Sequence, residues 1–164
     1  MKIYLIGFMG CGKSTVGKKL ASHYGCTFVD TDLWFEEKHQ CSIADFFALH
    51  SEKDFRREEQ IILYETERLN NSVIATGGGM PCFEDNMQWM LQQGRVVYIE
   101  MSVAALYNRL IKSKKKRPLL TNAENIQTEI QALFSMRENI YRKAHIVVSG
   151  INFSLENLVN KIEK

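Results

Sequence analysis

Five short runs of β-branched and aromatic residues recur along the chain, with helical patterns between them. The runs cover residues 2–6, 27–29, 72–76, 95–101 and 144–149. Strands that alternate with helices predict an α/β protein whose parallel sheet is covered by helices on both faces. The last two runs are almost continuously apolar, which is typical of strands buried on both sides.

Glycines mark the ends of two predicted helices. The patterns predict helices over residues 14–24 and 83–93, and each is followed by a glycine, Gly25 or Gly94. Glycine at this position favours the left-handed conformation that closes many helices. We therefore expect both glycines to be helix C-caps.

The stretch between the second and third predicted strands, residues 31–71, is long and helical. Within it, Ser42 and Asp45 resemble a capping box that opens a short helix through Leu49. We expect this stretch to form a small substrate-binding lobe. It would belong to a single domain spanning residues 1–164, since domains usually contain about 100–200 residues.

Composition and charge narrow the class of partner. The formal net charge is +2, from 21 basic and 19 acidic residues, which argues against a nucleic-acid or membrane surface. No apolar run approaches the roughly 18 residues needed to cross a bilayer, and the first residues do not resemble a signal peptide. The four cysteines form no CxxC pair, so neither a zinc site nor a disulfide scaffold is indicated and a cytoplasmic location is expected.

The strongest chemical motif lies between the first predicted strand and the first predicted helix. Residues 7–14 read Gly-Phe-Met-Gly-Cys-Gly-Lys-Ser and satisfy the phosphate-loop pattern G-x-x-x-x-G-K-[ST]. Backbone N–H groups and the helix N-terminus would cradle phosphates, Lys13 would hold the β- and γ-phosphates, and Ser14 would bind Mg²⁺. Cys11 is expected to be a small packing residue. The alternative is a plain glycine turn with a solvated lysine.

Two carboxylates follow the second strand, in Asp30-Thr31-Asp32. The carboxyl ends of parallel strands line the ligand crevice of open α/β sheets. If the strand continues, both carboxylates point the same way, one toward magnesium and the other toward a substrate hydroxyl. Alternatively, Asp30 caps a turn and Asp32 starts a helix.

Charged residues also lie on two apolar helix faces. In residues 52–69, Glu59 shares a helical stripe with apolar side chains and lies within ion-pair reach of Arg56. Such a pair would orient the Arg56 guanidinium toward an anion. A plain surface ion pair is the alternative.

On a later predicted helix, Arg137 shares a face with Phe134 and Tyr141. It must either extend to the rim or meet an anion, and bidentate binding of a carboxylate favours arginine.

Two loops complete the candidate site. The third strand ends at Gly77-Gly78-Gly79. The absence of side chains there allows a ligand to approach the backbone. A flexible turn is the alternative.

The second loop contains the basic run 112–117, which precedes Pro118. We interpret it as a mobile lid that brings Arg117 onto the transferring phosphate, although it could be a solvated loop or a localisation signal.

Together these motifs resemble the shikimate kinase family of small-molecule P-loop kinases. The resemblance covers essentially the whole chain and rests on residues 7–15, 30–32, 42–47, 55–57, 77–79 and 117–120, and on Arg137 with Tyr141. It implies a three-layer fold with five parallel strands in the order 2-3-1-4-5, a helical substrate lobe and a lid over about 112–124. It also implies Mg²⁺-dependent transfer of the ATP γ-phosphoryl group to the 3-hydroxyl of shikimate by a monomer.

The resemblance also implies a role for each site residue. ATP would be bound by Gly10, Cys11, Gly12, Lys13, Ser14, Thr15, Arg109 and Arg117, with Arg109 stacking on adenine. Shikimate would be bound by Asp32, Arg56, Gly78 and Arg137, supported by Glu59, Gly77 and Gly79. Magnesium would be held by Ser14 and, through water, by Asp30. Lys13, Asp32 and Arg117 would be the catalytic residues.

The chain departs from the family pattern at Ser51, and its motifs also admit two rival functions. Ser51 stands where the family often has glycine, which leaves the geometry of that helix junction open. One rival is a P-loop kinase of another small molecule, gluconate or a nucleoside monophosphate. The other is a nonenzymatic module that only binds nucleotide.

Overall fold

A computed structural model describes residues 1–113, 119–120 and 125–164. Its centre is a five-stranded sheet in the order β2-β3-β1-β4-β5, and every neighbouring pair of strands is parallel. The strands are β1 (Lys2–Ile6), β2 (Thr27–Asp30), β3 (Ser72–Ala75), β4 (Arg95–Glu100) and β5 (Ile146–Ser149). This confirms the predicted fold class, strand order and all five strands, with ends that shift by at most two residues.

Eight α-helices connect and flank these strands in the described part of the chain. They are α1 (Lys13–Tyr24), α2 (Thr31–His39), α3 (Ile43–Leu49), α4 (Glu52–Glu65), α5 (Asn86–Gln93), α6 (Val103–Lys112), α7 (Ile126–Tyr141) and α8 (Leu155–Ile162). Short 3₁₀ turns at Thr66–Arg68 and Met80–Cys82 follow α4 and β3. None of the helices in the described ranges is both long and apolar enough to cross a membrane.

The sheet is buried on both faces. All of Ile3, Tyr4, Leu5 and Ile6 in β1 are 0% exposed. Because successive strand residues point to opposite faces, both faces of the sheet must be covered.

A second, smaller hydrophobic cluster lies within the predicted substrate lobe. It consists of Phe35, Phe46, Phe55 and Ile62, contributed by α2, α3 and α4. These three helices of the predicted lobe therefore share their own hydrophobic cluster, while Leu63 of α4 packs in the main core.

Two serine caps begin the lobe helices α3 and α4. The Ser42 hydroxyl accepts a hydrogen bond of 3.0 Å from the Asp45 N–H, which is half of the expected capping box; the Asp45 carboxylate accepts from the Ser42 hydroxyl and not from its N–H. A complete capping box forms at Ser51, whose hydroxyl accepts from the Asp54 N–H while the Asp54 carboxylate accepts from the Ser51 N–H. Ser51 thus caps α4 at the junction that the resemblance left open, and a serine cap typically stabilises a helix by about 1 kcal/mol over alanine.

Two expectations about helix ends need correction. Gly25 is left-handed, with φ of 60°, but Gly94 has φ of −176° and is simply extended. A side chain at Gly94 would overlap the Lys2 carbonyl oxygen, so glycine is required there by the close approach of β1. In addition, α5 begins only at Asn86 and not at residue 83, because the 3₁₀ turn and the left-handed Glu84 precede it.

Candidate active site

The phosphate loop runs from the end of β1 to the start of α1. Gly10 and Gly12 have φ of 83° and 100°, a left-handed conformation that side chains rarely adopt. Gly12 is the N-cap of α1, so Lys13, Ser14 and Thr15 form the first turn of that helix. Its free N–H groups and positive end face the loop, which is the arrangement that binds phosphate in proteins.

The side chains of the loop follow its backbone. The Lys13 ammonium group donates to the carbonyl oxygens of Gly7 at 2.8 Å and Phe8 at 3.1 Å, so it bridges the loop. Cys11 is 1% exposed, and its Sγ lies 3.9 Å from the Lys13 Nζ. The thiol is therefore packed in the core beneath the loop, as expected of a small packing residue.

Asp30 connects the phosphate loop to the end of β2. Its Oδ2 accepts a 2.6 Å hydrogen bond from the Ser14 hydroxyl, and its Oδ1 accepts a 3.1 Å bond from the Asp32 N–H. The strand does not continue through Asp32: Asp30 caps α2, which begins at Thr31. The prediction of one continued strand is therefore wrong and the capping alternative is right, because a helix starts at once. Both carboxylates nevertheless line the same cavity.

That cavity, which we call the phosphate cavity, has a volume of about 310 Å³. Its described lining residues are Met9, Gly10, Gly12, Lys13, Ser14, Thr15, Asp30, Asp32, Thr76, Gly78 and Arg109. The Arg109 guanidinium lies 3.4 Å from the Gly10 carbonyl oxygen and 3.5 Å from that of Gly150. Arg109 therefore spans the space between the phosphate loop and the loop after β5.

A second cavity of about 280 Å³, which we call the acceptor cavity, lies beside the first. Its described lining residues are Met9, Asp32, Glu36, Ser42, Ile43, Ala44, Phe47, Phe55, Arg56, Glu59, Gly77, Gly78, Gly79, Leu119 and Arg137. Met9, Asp32 and Gly78 line both cavities. The two cavities thus meet where Asp32 faces the triglycine segment, Gly77–Gly79.

Arg56 and Glu59 form a buried ion pair on α4 and not a surface pair. Arg56 is 8% exposed and Glu59 is 3% exposed, and the guanidinium binds Glu59 and also the carboxylate of Glu52 at 3.3 Å. Burial raises the pKa of Glu59 to about 7, which Arg56 opposes and Asp32 reinforces. The buried pair fixes the direction of Arg56.

Arg137 is buried as well, so the alternative of extension to the rim is wrong. It is 7% exposed, and its Cζ lies 5.7 Å from the centre of the Phe8 ring. Its Nη1 has no hydrogen-bond partner within the residues that the structure describes. A buried guanidinium nitrogen without a partner is costly, which makes Arg137 suited to bind an anion in the acceptor cavity.

The triglycine segment is held in place and is not a flexible turn. The Gly77 N–H donates to the Thr31 hydroxyl at 3.0 Å, and the Tyr141 hydroxyl donates to the Gly78 carbonyl oxygen at 2.6 Å. A side chain on Gly79 would overlap the Arg56 guanidinium. Glycine therefore lets Arg56 lie directly against the backbone.

Several lining residues were absent from the sequence-based set. Met9, Glu36 and Leu119 line the acceptor cavity, and Thr31 binds the triglycine segment. The position of Thr31 between two candidate aspartates was a signal for it. Met9 and Leu119 lie inside the motif segments 7–15 and 117–120, whereas Glu36 lies in none of the motifs. Arg117 and most of the predicted lid lie outside the described residues.

The fold and the two cavities define a small-molecule kinase of the P-loop class. The sequence model of the shikimate kinase family matches residues 9–164. A shikimate kinase of Azobacteroides pseudotrichonymphae is 40% identical, with 98% of this chain and 99% of that protein aligned. The chain belongs to the shikimate kinase family, so it is an ATP-dependent phosphotransferase with shikimate kinase activity.

Solved structures agree with this assignment. Shikimate kinase from Acinetobacter baumannii in complex with shikimate gives a TM-score of 0.90 at 35% identity, covering 99% of this chain and 90% of that one. Shikimate kinase from Bacteroides thetaiotaomicron gives 0.89 at 31% identity, covering 99% and 96%. A gluconokinase from Sinorhizobium meliloti, at 14% identity and a TM-score of 0.60, shares the fold alone.

Proposed function

We propose that this chain transfers the γ-phosphoryl group of ATP to the 3-hydroxyl of shikimate, giving shikimate 3-phosphate and ADP for aromatic amino-acid biosynthesis. The observation that carries the proposal is the junction of the two cavities at Asp32 and Gly78. One cavity has the groups that bind phosphates, and the other has two buried arginines suited to a carboxylate. A phosphate donor and a small acid would therefore meet at that junction.

ATP occupies the phosphate cavity in this proposal. The backbone from Gly10 to Thr15 cradles the phosphates, Lys13 holds the β- and γ-phosphates, and Arg109 stacks on adenine. Cys11 takes part through its backbone, because its thiol is buried. Arg117, which lies outside the described residues, keeps the role that the family resemblance gives it, stabilising charge on the γ-phosphoryl group.

The donors at the junction of α1 and β2 fit Mg²⁺. Ser14 and Asp30 present oxygen atoms 2.6 Å apart, and oxygen is the ligand type that magnesium prefers. The described residues contain no cluster of three or more His, Cys, Asp or Glu side chains that could hold a metal. This suits magnesium in kinases, which binds one or two protein groups, substrate phosphates and waters. When bound, the ion would neutralise charge on the phosphates.

Shikimate occupies the acceptor cavity. Arg56 and Arg137 bind its carboxylate, Glu59 positions Arg56, and the triglycine segment offers its backbone at Gly78. Asp32 faces the phosphate cavity from the same site, so it orients the acceptor hydroxyl and receives its proton. Phosphoryl transfer has a loose transition state, for which positioning and charge neutralisation do most of the work.

We further propose that the protein acts as a monomer in the cytoplasm. The monomeric state is what the resemblance to the family implies. The four cysteines are free thiols, which is typical of proteins in a reducing compartment.

One coupled assay of ADP release tests the proposed function. The purified protein is given MgATP with shikimate, quinate, gluconate or a nucleoside monophosphate in turn. Shikimate should be the preferred acceptor, and Lys13→Ala should abolish turnover with it. Preference for gluconate or a nucleotide would contradict the proposal, and so would nucleotide binding without turnover on any acceptor.

A further inference from the structure

The triglycine segment is the partition between the two cavities. Gly78 lines both of them, and a Cβ atom added there would lie 3.1 Å from the Met9 nitrogen of the phosphate loop. A Cβ atom added to Gly77 would lie 2.9 Å from Asp32 Oδ1 and would also overlap the Glu59 carboxylate. The segment therefore touches the phosphate loop on one side and the acceptor-side carboxylates on the other.

Two buried hydroxyl groups hold this partition from different helices. Thr31, at the start of α2, is 2% exposed and accepts the Gly77 N–H; Tyr141, at the end of α7, is 0% exposed and donates to the Gly78 carbonyl oxygen. Burial raises the pKa of Tyr141, so its hydroxyl keeps the proton that it donates. The bond from Gly77 to Thr31 is buried and the bond from Tyr141 to Gly78 is partly buried, and a buried polar group that loses its partner is costly.

Thr31 and Tyr141 are each also adjacent to charged residues of the site. Thr31 lies between Asp30 and Asp32, and Tyr141 follows Arg137 by one helical turn, since α7 continues through both residues. The two hydrogen bonds thus join the carboxylates after β2 and the arginine on α7 to one short backbone segment. Movement of that segment would change how the acceptor cavity is aligned with the phosphate loop.

We infer that Thr31 and Tyr141 are positioning residues for phosphoryl transfer: their hydroxyls fix the triglycine partition and so align the acceptor hydroxyl with the γ-phosphorus. This rests on the proposed function. In the aligned state the bond from the γ-phosphorus to the β–γ bridging oxygen breaks, ADP leaves with the electron pair, and the acceptor oxygen bonds to phosphorus as its proton passes to Asp32. In a misaligned state water is the acceptor, giving ADP, inorganic phosphate and a proton.

The ratio of ADP formed to shikimate 3-phosphate formed distinguishes positioning from folding. A smaller folded fraction lowers the amounts of ADP and shikimate 3-phosphate by the same factor. Misalignment instead raises the ratio of ADP to shikimate 3-phosphate. A displacement of about 1 Å at a reacting centre can cost about 100-fold in rate. We therefore expect Thr31→Val and Tyr141→Phe to lower kcat by about 10- to 100-fold, to raise the ratio above one and to leave the KM for ATP unchanged.

The chain offers a matched control for each substitution. Tyr98→Phe removes another buried hydroxyl, which has no hydrogen-bond partner within the described residues, from a ring 5.2 Å from that of Tyr141. Thr66→Val removes a buried threonine hydroxyl that binds the Leu63 carbonyl oxygen and Tyr4, outside the lining of both cavities. Thr31→Ser keeps the hydroxyl and should restore the product ratio.

The experiment measures ADP and shikimate 3-phosphate from the same reaction, together with the thermal midpoint, for the wild type and these five variants. A raised ratio in Tyr141→Phe and Thr31→Val, a normal ratio in both controls and rescue by Thr31→Ser would support the inference. A ratio near one in Tyr141→Phe would overturn it, even if Thr31→Val did not fold. A wild type that fails to phosphorylate shikimate would instead contradict the proposed function.

Discussion

The hydroxyl of Ser14 lies 2.6 Å from a carboxylate oxygen of Asp30, across 16 positions of the chain. The contact joins the first turn of α1 to the end of β2, so the oxygen groups of the proposed magnesium site are brought together by the sheet. Because Asp30 also caps α2, the same side chain fixes the start of the helix that carries Asp32.

Asp30→Asn should therefore weaken the magnesium dependence of the reaction. The amide keeps an acceptor oxygen for the cap but removes the charge that would hold magnesium-bound water. We expect the Mg²⁺ concentration for half-maximal activity to rise by about 10-fold, which corresponds to about 1.4 kcal/mol. Activity is measured against free Mg²⁺ at saturating ATP. Asp85→Asn, at an exposed carboxylate that accepts from Tyr64, is the control; an unchanged Mg²⁺ requirement in Asp30→Asn would remove Asp30 from the metal site.

Arg137→Ala should reduce shikimate affinity selectively. Its Nη1 has no hydrogen-bond partner within the described residues, and charge-assisted hydrogen bonds each contribute about 1.5–3 kcal/mol. We expect the KM for shikimate to rise at least 10-fold while the KM for ATP stays constant. Arg142→Ala, which removes an arginine paired with Glu138 and Glu100 on the surface, should change neither value. Equal shikimate affinity in wild type and Arg137→Ala would make Arg137 a structural residue.

Gly79→Ala should impair shikimate binding. Its backbone, with φ of −89°, is compatible with alanine, but the new methyl group would overlap the Arg56 guanidinium. Displacing that group would disturb its buried pair with Glu59, so we expect the KM for shikimate to rise about 10-fold and the thermal midpoint to fall. Gly25→Ala should lower the thermal midpoint and leave that KM unchanged, because Gly25 has φ of 60° and no atom within 4 Å of an added Cβ. Normal kinetics in Gly79→Ala would mean that Arg56 does not need this position.

Glu59 should make the stability of the protein depend on pH in a particular direction. Burial raises its pKa in the folded protein from 4.5 to about 7, so between these values the folded state binds more protons than the unfolded state. The contribution of Glu59 is fully present below pH 4.5 and is lost as pH rises through about 7. The free energy of unfolding of wild type, relative to Glu59→Gln, should fall by up to about 3 kcal/mol across this range. Urea titrations at pH 5 and pH 8 measure it, and a constant difference would contradict the raised pKa.

Local patterns were sufficient to predict the sheet and the phosphate loop. Each strand is marked by a short run of β-branched or aromatic residues, and Gly10 and Gly12 of the loop adopt the left-handed backbone that the motif requires. The order of the strands came from the family resemblance and not from periodicity. Helix ends were less accurate: Gly94 is explained by the approach of Lys2, a contact between residues that are distant in sequence.

The charged residues of the site, Arg56 and Glu59 among them, were only partly predictable, because their burial depends on contacts between residues that are distant in sequence. Spacing placed Arg56 and Glu59 within reach of each other, but it could not decide whether the pair was buried. Burial depends on the packing of α4 beside the triglycine segment. Thr31 and Tyr141 bind that segment from 46 and 63 positions away. Their neighbours in the sequence placed both residues near the site, but the hydrogen bonds of their hydroxyls depend on the packed fold.

The central claim is that the γ-phosphoryl group passes from ATP in the phosphate cavity to shikimate in the acceptor cavity. An experiment with γ-labelled ATP tests this claim most directly. With wild-type protein, Mg²⁺ and shikimate, the label should appear in shikimate 3-phosphate. Asp32→Asn should bind ATP normally but transfer the label at a rate lowered by about 100-fold or more. Label found only in ATP or inorganic phosphate would contradict the account, as would transfer by Asp32→Asn at the wild-type rate.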